Sequence, residues 1–149
     1  MITVLNYRPI FEIVSDRINY IDVDYVISVT EKEKNMLASV IAHEVGNMSY
    51  ESKVMLAVLV VNRVKDERFP DTIYEVLHAP KQFEAIHNYY DKEIPIKKED
   101  MAAVEDALTG KRTHSAVYYC APKYTNAATM QWFNTLELCF CLEGQNFYK

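Results

Sequence analysis

Hydrophobic and polar residues alternate with a period of two over residues 21–30. The apolar members of this pattern are Ile21, Val23, Tyr25, Ile27 and Val29. Val26 interrupts the alternation once. A period of two predicts a strand with one buried face, and residues 10–14 are a candidate partner strand. We therefore expect residues 1–30 to form a β-like N-terminal extension.

The period changes to that of helices after Thr30. Thr30 and Glu33 have the spacing of a capping box, which predicts a helix that begins directly afterwards. Asn47 and Ser49 then supply a break and a second N-cap. The next helix is apolar almost all round over residues 54–61. Such a helix is expected in the middle of a domain, because every side of it needs to be buried.

Shorter elements fill the rest of the chain. The expected elements are a short helix capped by Asp71 and ending at His78, a loop over 86–97, a helix over 100–108, and strands over 116–120, 136–141 and 146–149. The pattern predicts an α+β fold with a central buried helix and short β elements at both ends. Residues 31–149 are expected to form the main part of a single compact domain.

Composition and charge narrow the classes of function. The 149 residues are half hydrophobic and suit one domain. The net charge of −5, without a basic block, excludes nucleic acid as an expected partner. No apolar run is long enough to cross a bilayer, and no signal peptide is evident. We expect a soluble chain that is cytoplasmic as synthesised and has no membrane partner.

The cysteines and histidines favour neither a disulfide framework nor a metal site. Three cysteines without a secretion signal predict free, buried thiols. Cys120 and His114 are the one candidate nucleophile pair, but an apolar strand would make this thiol inert. His43 and Glu44 begin like the zinc motif His-Glu-x-x-His, yet Asn47 stands where the second histidine belongs. The histidines show no other ligand spacing, so we expect no metal and no cofactor.

Glu44 is the candidate catalytic acid. It follows Val40 by four residues and Ile41 by three, so it borders the apolar stripe of its helix. It also lies in the last helical turn, where exposed carbonyls disfavour a negative charge. Burial and helix position would both raise its pKa, and a protonated carboxyl group suits glycosidic bond cleavage. A partly solvated glutamate at a helix end is the structural alternative.

Residues 36–149 resemble the SleB/CwlJ-type cell-wall hydrolases, which cleave spore cortex peptidoglycan. The matching elements, in order, are Ala38, Ala42, Glu44, Ser49-Tyr50-Glu51, Ala57, Asn62-Arg63-Val64, Phe69-Pro70, Thr72-Ile73, Val76, Gln82-Phe83, 103–108, 116–119, Pro122, Trp132 and Phe147-Tyr148. Each piece alone is weak, whereas their order and spacing together are specific.

The resemblance implies a lysozyme-like fold with one catalytic glutamate and no second nucleophilic carboxylate. Glu44 takes the acid/base role by position. It would protonate the bond between MurNAc and GlcNAc and then accept the proton of the MurNAc C6 hydroxyl, leaving a 1,6-anhydro end. The candidates for the sugar groove or its support are Gln82, Phe83, Tyr118, Tyr119 and Trp132. Peptidoglycan glycan strands are the implied partner, with either a lytic transglycosylase or a muramidase activity.

The sequence departs from the family pattern at three places. Asn47 and Met48 stand where the family usually has Gly and Glu, Ala121 replaces an Asn, and Gln145-Asn146 follow Gly144 without a His. These departures keep a second hypothesis open, in which the chain is a weak or inactive hydrolase fold that serves as a structural or adaptor protein. Residues 1–30 would then mediate self-association or binding to a virion partner. A phage-type lysis or virion-associated enzyme is the expected setting if the chain is active.

Overall fold

The computed structural model describes residues 10–14, 16–22 and 25–149. Its first part is an antiparallel sheet of β1 (Ile10–Val14), β2 (Arg17–Asp22) and β3 (Tyr25–Thr30), in the order β1-β2-β3. The single strand predicted from Ile21 onward is wrong, because Asp22 pairs with Tyr25 in a hairpin. Val23 of that prediction lies outside the described residues. Residues 10–14 form a strand as expected, and their partner is β2.

Two helices form the centre of the molecule. The helix α1 spans Glu31–Val45, and the capping box of Thr30 and Glu33 is confirmed. The helix α2 spans Tyr50–Lys65, with Ser49 as the expected N-cap. Almost every residue of α2 is buried, since α1, α5 and the β3 strand surround it. The all-round apolar pattern therefore predicted the central helix correctly.

The remaining helices are short except for one. They are α3 (Ile73–His78), α4 (His87–Asp91), α5 (Lys98–Leu108) and α6 (Ala127–Phe133). Thr72, not Asp71, caps α3, because its side chain accepts the N–H of Glu75. The helix α4 lies inside the predicted loop. The helix α6 was missed, since all but one of its residues remain outside the core and its apolar pattern is weak.

A second antiparallel sheet closes the fold. It consists of β4 (Tyr118–Cys120), β5 (Leu138–Leu142) and β6 (Gln145–Tyr148) in the order β4-β6-β5. The β5–β6 turn is Glu143-Gly144, whose φ angles of 48° and 79° are those of a type I′ hairpin turn. The three C-terminal strands expected from the sequence are thus present, each within three residues of its expected start or end.

The turn residue Glu143 joins this sheet to the start of α2. Its carboxylate accepts hydrogen bonds from Ser49 Oγ at 2.6 Å, from the Ser49 N–H at 3.2 Å and from Ser52 Oγ. These hydrogen bonds from Ser49 and Ser52 lower the pKa of Glu143. A negative charge at a helix N-terminus is also favoured by the helix dipole. Glu143 therefore holds the β5–β6 turn against the segment that follows α1.

The N-terminal sheet shares the main core of the molecule. Tyr20, Ile27 and Val29 are buried against α1 and α2. The Tyr20 hydroxyl donates to Glu105 of α5 at 3.2 Å, and Lys34 of α1 forms an ion pair with the same carboxylate. The sheet is thereby attached through both apolar and polar contacts. The division of the chain at residue 30 stays a prediction.

Two further expectations concern membranes and thiols. Throughout residues 10–14, 16–22 and 25–149, no helix combines the length and the apolar character that a bilayer crossing requires. The three cysteines are free, but only Cys120 is buried. Cys139 is half-buried and Cys141 is exposed, because both lie on the edge strand β5. The prediction of buried thiols is wrong for these two residues.

Candidate active site

Glu44 lies in the last turn of α1 with its side chain exposed. The burial that the apolar stripe predicted is therefore wrong: the stripe continues to Val45 at the end of α1, and Glu44 lies beside it on the exposed side of the helix. The chain leaves α1 at Gly46, where an added Cβ would clash with the Ala42 carbonyl oxygen. Met48 packs partly buried against the core directly afterwards. The tight exit from α1 leaves the Glu44 carboxylate open to solvent.

Tyr119 of β4 provides a hydrogen-bond partner for the Glu44 side chain. Burial raises the pKa of the Tyr119 phenol, and the neighbouring Glu44 raises it further. The phenol consequently stays protonated and donates to the carboxylate. Its ring is stacked between Phe83 at 6.4 Å and Phe147 at 5.9 Å between centroids. Two buried rings thus fix the group that orients Glu44.

Arg63 of α2 contacts the residues that surround Tyr119 and holds them together. Its Nε donates to the Val117 carbonyl at 2.7 Å, and its Nη1 donates to Gln82 Oε1 at 2.9 Å. The guanidinium carbon lies 5.2 Å from the Phe83 ring centroid. No described carboxylate pairs with Arg63, and burial lowers its pKa. Arg63 therefore holds Gln82, Phe83 and β4 in one arrangement.

Tyr118 and Trp132 form a second aromatic group. Successive side chains of a strand point to opposite faces, so Tyr118 points away from Tyr119. Its ring lies 5.2 Å from Trp132 at 88° and 5.6 Å from Phe69. Trp132 is 46% exposed. The structure therefore divides the predicted groove residues into a Glu44 group with Tyr119, Phe83 and Gln82, and a separate group with Tyr118 and Trp132.

A cavity of about 170 Å³ beside Glu44 contains one other carboxylate among the described residues, that of Asp100. Asp100 Oδ1 lies 2.8 Å from Lys53 Nζ, and Oδ2 accepts the Lys97 N–H at 2.8 Å. Both oxygens thus bind groups of the protein itself. Burial alone would lower the pKa of Lys53, but hydrogen bonds to Asp100 and Glu99 raise it on balance. Asp100 is held in this buried ion pair. Among the described residues that line the cavity, Glu44 is therefore the carboxyl group that remains available for catalysis.

The candidate pair of Cys120 and His114 has no chemical function in this arrangement. His114 Nδ1 accepts the Ala116 N–H at 3.0 Å, and Nε2 contacts the Met55 carbonyl at 2.8 Å. Burial lowers the pKa of His114, in agreement with a neutral ring whose two nitrogens are both used. Cys120 Sγ contacts Met130 Sδ at 3.8 Å instead. A thiol–imidazole site is excluded by these contacts.

A group of possible metal ligands includes His43, the residue that directly precedes Glu44. His43, His87 and Glu93 place one ligand atom each within 4.8 Å of one another. They come from α1, from the first residue of α4 and from the segment after α4. Sequence spacing gave no sign of this cluster, because its members are 44 and 6 positions apart.

The fold is that of two solved catalytic domains. The catalytic domain of the Bacillus cereus SleB protein gives a TM-score of 0.71 at 23% identity, over 80% of this chain and 91% of that chain. The catalytic domain of the germination-specific lytic transglycosylase SleB from Bacillus anthracis gives 0.69 at 24% identity, over 81% and 97%. The expected lysozyme-like α+β fold is confirmed.

The sequence places the chain among known families as well. The profile of the Cell Wall Hydrolase family matches residues 47–147. The chain belongs to the cell wall hydrolase family, as the resemblance predicted. The matched segment begins after Glu44 and therefore does not include this residue.

Two curated relatives are spore cortex-lytic enzymes. That of Oceanobacillus iheyensis is 30% identical over 109 residues, which are 71% of this chain and 37% of the relative. That of Bacillus subtilis strain 168 is 30% identical over 100 residues, which are 65% of this chain and 31% of the relative. The chain spans about a third of the length of these relatives.

Proposed function

We propose that this protein cleaves the glycan strands of peptidoglycan with Glu44 as its one acid/base residue. The observation that carries the proposal is the exposed Glu44 carboxylate, which is hydrogen-bonded to the buried phenol of Tyr119. Membership of the cell wall hydrolase family supports the class of substrate. The names of the relatives, spore cortex-lytic enzyme and lytic transglycosylase, support a glycosidic bond as the target.

The proposed reaction needs one carboxyl group in two roles. Glu44 first donates its proton to the glycosidic oxygen, and the bond from that oxygen to C1 of MurNAc breaks. The resulting carboxylate then accepts the proton of the C6 hydroxyl as O6 bonds to C1 of the same sugar. In the hydrolytic alternative, a water molecule supplies that oxygen and gives its proton to Glu44. The single free acid beside the cavity suits either route, since Asp100 is paired with Lys53.

The remaining predicted site residues have different roles in this proposal. Tyr119 orients the Glu44 carboxylate. Phe83 is 2% exposed and supports the Tyr119 ring from the core. Gln82 is exposed and positioned by Arg63, so its amide nitrogen is available to a sugar hydroxyl. Trp132, with Tyr118 packed edge-on against it, offers an exposed aromatic surface of the kind on which sugar rings stack.

The decisive test is a digest of purified peptidoglycan or spore cortex, followed by mass spectrometry of the soluble products. Wild type is expected to release muropeptides, and 1,6-anhydro ends would identify the transglycosylase route. Glu44→Gln is expected to lower the rate at least about 100-fold, because general acid–base catalysis contributes about that much. Glu67→Gln is the matched control, since Glu67 is an exposed carboxylate in a different cavity. Equal activity of wild type and Glu44→Gln would overturn the role of Glu44.

The adaptor hypothesis is less favoured by these comparisons. Its sequence basis was the set of departures near Met48, Ala121 and Asn146. Met48 packs against the core, and Asn146 Nδ2 donates to the Tyr148 hydroxyl at 3.1 Å. Both departures from the family pattern therefore have a structural role in this fold. A phage or virion setting, and self-association through residues 1–30, stay predictions that gel filtration and virion fractionation would test.

A further inference from the structure

We propose that His43, His87 and Glu93 form a binding site for a divalent transition metal ion, with Zn²⁺ as the preferred ion. Their ligand atoms lie within 4.8 Å of one another. Two imidazoles and one carboxylate, with one position left to water, are an established zinc ligand set. The proposal does not depend on the proposed glycan chemistry, although His43 also lines the cavity beside Glu44.

The tautomer of His87 is already suited to metal binding. Its Nδ1 lies 2.7 Å from the Glu84 carbonyl oxygen, so Nδ1 carries the proton and donates it. Nε2 is left with a free lone pair, 3.8 Å from Glu93 Oε2. Metal-binding histidines generally donate their second ring N–H to a carbonyl or a carboxylate, which fixes the ring. His87 therefore has the second-shell contact that a ligand needs.

His43 completes the cluster from α1. Its ring lies 4.7 Å from that of His87 with an interplanar angle of 81°, and it makes no hydrogen bond to any residue in the described part of the chain. A tetrahedral zinc site would hold its ligand atoms about 3.4 Å apart, given zinc–ligand distances of about 2.0–2.2 Å. The present separations exceed that by about 1.4 Å at most, a difference that side-chain rotations of the three partly or fully exposed ligands would remove.

The backbone around the three ligands is held in place by Asn88. This side chain is 1% exposed and donates to the Ser39 carbonyl of α1 at 3.1 Å and to the Ile94 carbonyl at 3.0 Å. Its Oδ1 accepts the Ile94 N–H at 2.8 Å. Lys92, with a φ of 54°, turns the chain back so that Glu93 lies near His87. The three ligands therefore project from backbone that is fixed without a metal.

Metal binding would connect this site to the cavity beside Glu44. Ile94, Pro95 and Lys97 form one wall of that cavity, and Glu93 directly precedes them. A bound ion would attach this wall to the last turn of α1.

The test is isothermal titration of the purified, metal-free protein with Zn²⁺, with Co²⁺ absorption as a second probe. One ion per chain is expected, and His87→Ala and His43→Ala should each weaken binding at least about tenfold, which is the smallest loss expected even for a second-shell partner. Zinc should also raise the melting temperature of wild type and not that of these variants. His87→Gln replaces His87→Ala if the latter does not fold.

Two controls separate this site from other donors. His78→Ala removes a histidine whose nitrogens contact the Tyr74 carbonyl and the Tyr90 hydroxyl, and it should bind zinc like wild type. Cys141→Ser removes the exposed thiol and should do the same. No saturable zinc binding by wild type, unchanged binding in both ligand variants, or loss of binding in Cys141→Ser alone would each overturn the proposal.

Discussion

Tyr119 shows how a half-buried residue determines the geometry of an exposed one. Its hydroxyl contacts Glu44, while Phe83 and Phe147 enclose its ring on both sides. Glu44 itself has few packing constraints, because it lies in the last turn of α1 and is exposed. The orientation of the Glu44 carboxylate therefore depends on Tyr119, the strand residue that contacts it.

Replacing Tyr119 with Phe is expected to lower turnover about tenfold with little effect on substrate affinity. The variant keeps the ring stack and loses one hydrogen bond to a charged group, which contributes about 1.5–3 kcal/mol. Steady-state kinetics on soluble glycan fragments would separate kcat from KM. Tyr124→Phe is the matched control, since Tyr124 is 82% exposed. Unchanged kcat in Tyr119→Phe would show that the hydrogen bond does not orient Glu44.

At the scale of single residues, the sequence indicated a candidate acid but not its surroundings. Glu44 is the candidate because of its helix position and the order of motifs around it, and its role stays a proposal. The sequence did not show that Glu44 is exposed, or that Tyr119 rather than Tyr118 contacts it. Those facts depend on how β4 packs against α1, which are separated by more than seventy positions. The sequence also did not indicate the cluster of His43, His87 and Glu93, because it depends on how α1 and α4 pack together.

At the scale of elements, the β5–β6 hairpin is positioned by a charge. Glu143 has a φ of 48°, a conformation that few residues other than Gly, Asn and Asp adopt. The hydrogen bonds from Ser49 and Ser52 explain why a glutamate is stable there. The hairpin thereby supports the turn between α1 and α2, which directly follows Glu44.

Glu143 predicts a specific acid dependence of stability. Its folded-state pKa is lowered by hydrogen bonds from Ser49 and Ser52, so the unfolded chain takes up the proton first as the pH falls. The stabilisation is present above the ordinary Glu pKa of about 4.3 and is lost as the pH falls through the folded-state pKa. Glu143→Gln should therefore be less stable than wild type near neutral pH, and the difference should shrink in acid.

Urea denaturation at about pH 7 and at about pH 3 would measure this difference. Glu137→Gln, which changes an exposed carboxylate before β5, is the matched control. A gap between wild type and Glu143→Gln that stays constant over this range would show that the charge of Glu143 does not support the turn.

Helix boundaries with local signals were predictable, and elements without such signals were not. Thr30 and Ser49 mark the starts of α1 and α2, because their side chains accept hydrogen bonds from backbone N–H groups in the first turn of each helix. The helix α4 has no side-chain cap and lies in a charged segment, so its existence depends on Asn88 packing under α1. The sequence pattern merged β2 and β3 into one strand because residues 23–24, which separate them, include no Gly or Pro.

At the scale of the whole molecule, the N-terminal sheet stabilises the fold through one face of β3. Val29 is fully buried, whereas Val26 on the same strand is 53% exposed. Val29→Ala is expected to lower the free energy of unfolding by about 2 kcal/mol, since it removes two buried methyl groups and leaves a small cavity. Val26→Ala should change it by less than about 0.5 kcal/mol. Chemical denaturation measures both.

Equal stabilities of the two valine variants would indicate that the sheet folds independently of the α-helical core. That result would favour residues 1–30 as a separate assembly module. Unequal stabilities would indicate that the sheet and the helices unfold together. The sequence predicted strands with one buried face here, but it contained no information on what that face contacts, since α1 and α2 supply the contacts.

The strand order β4-β6-β5 places the last strand of the chain in the middle of its sheet. Proteolytic trimming of residues 145–148 would therefore leave two unpaired strand edges instead of removing one edge strand. It would also remove Phe147, one of the two rings that enclose Tyr119. Exopeptidase digestion from the C-terminus should consequently inactivate the protein abruptly rather than gradually.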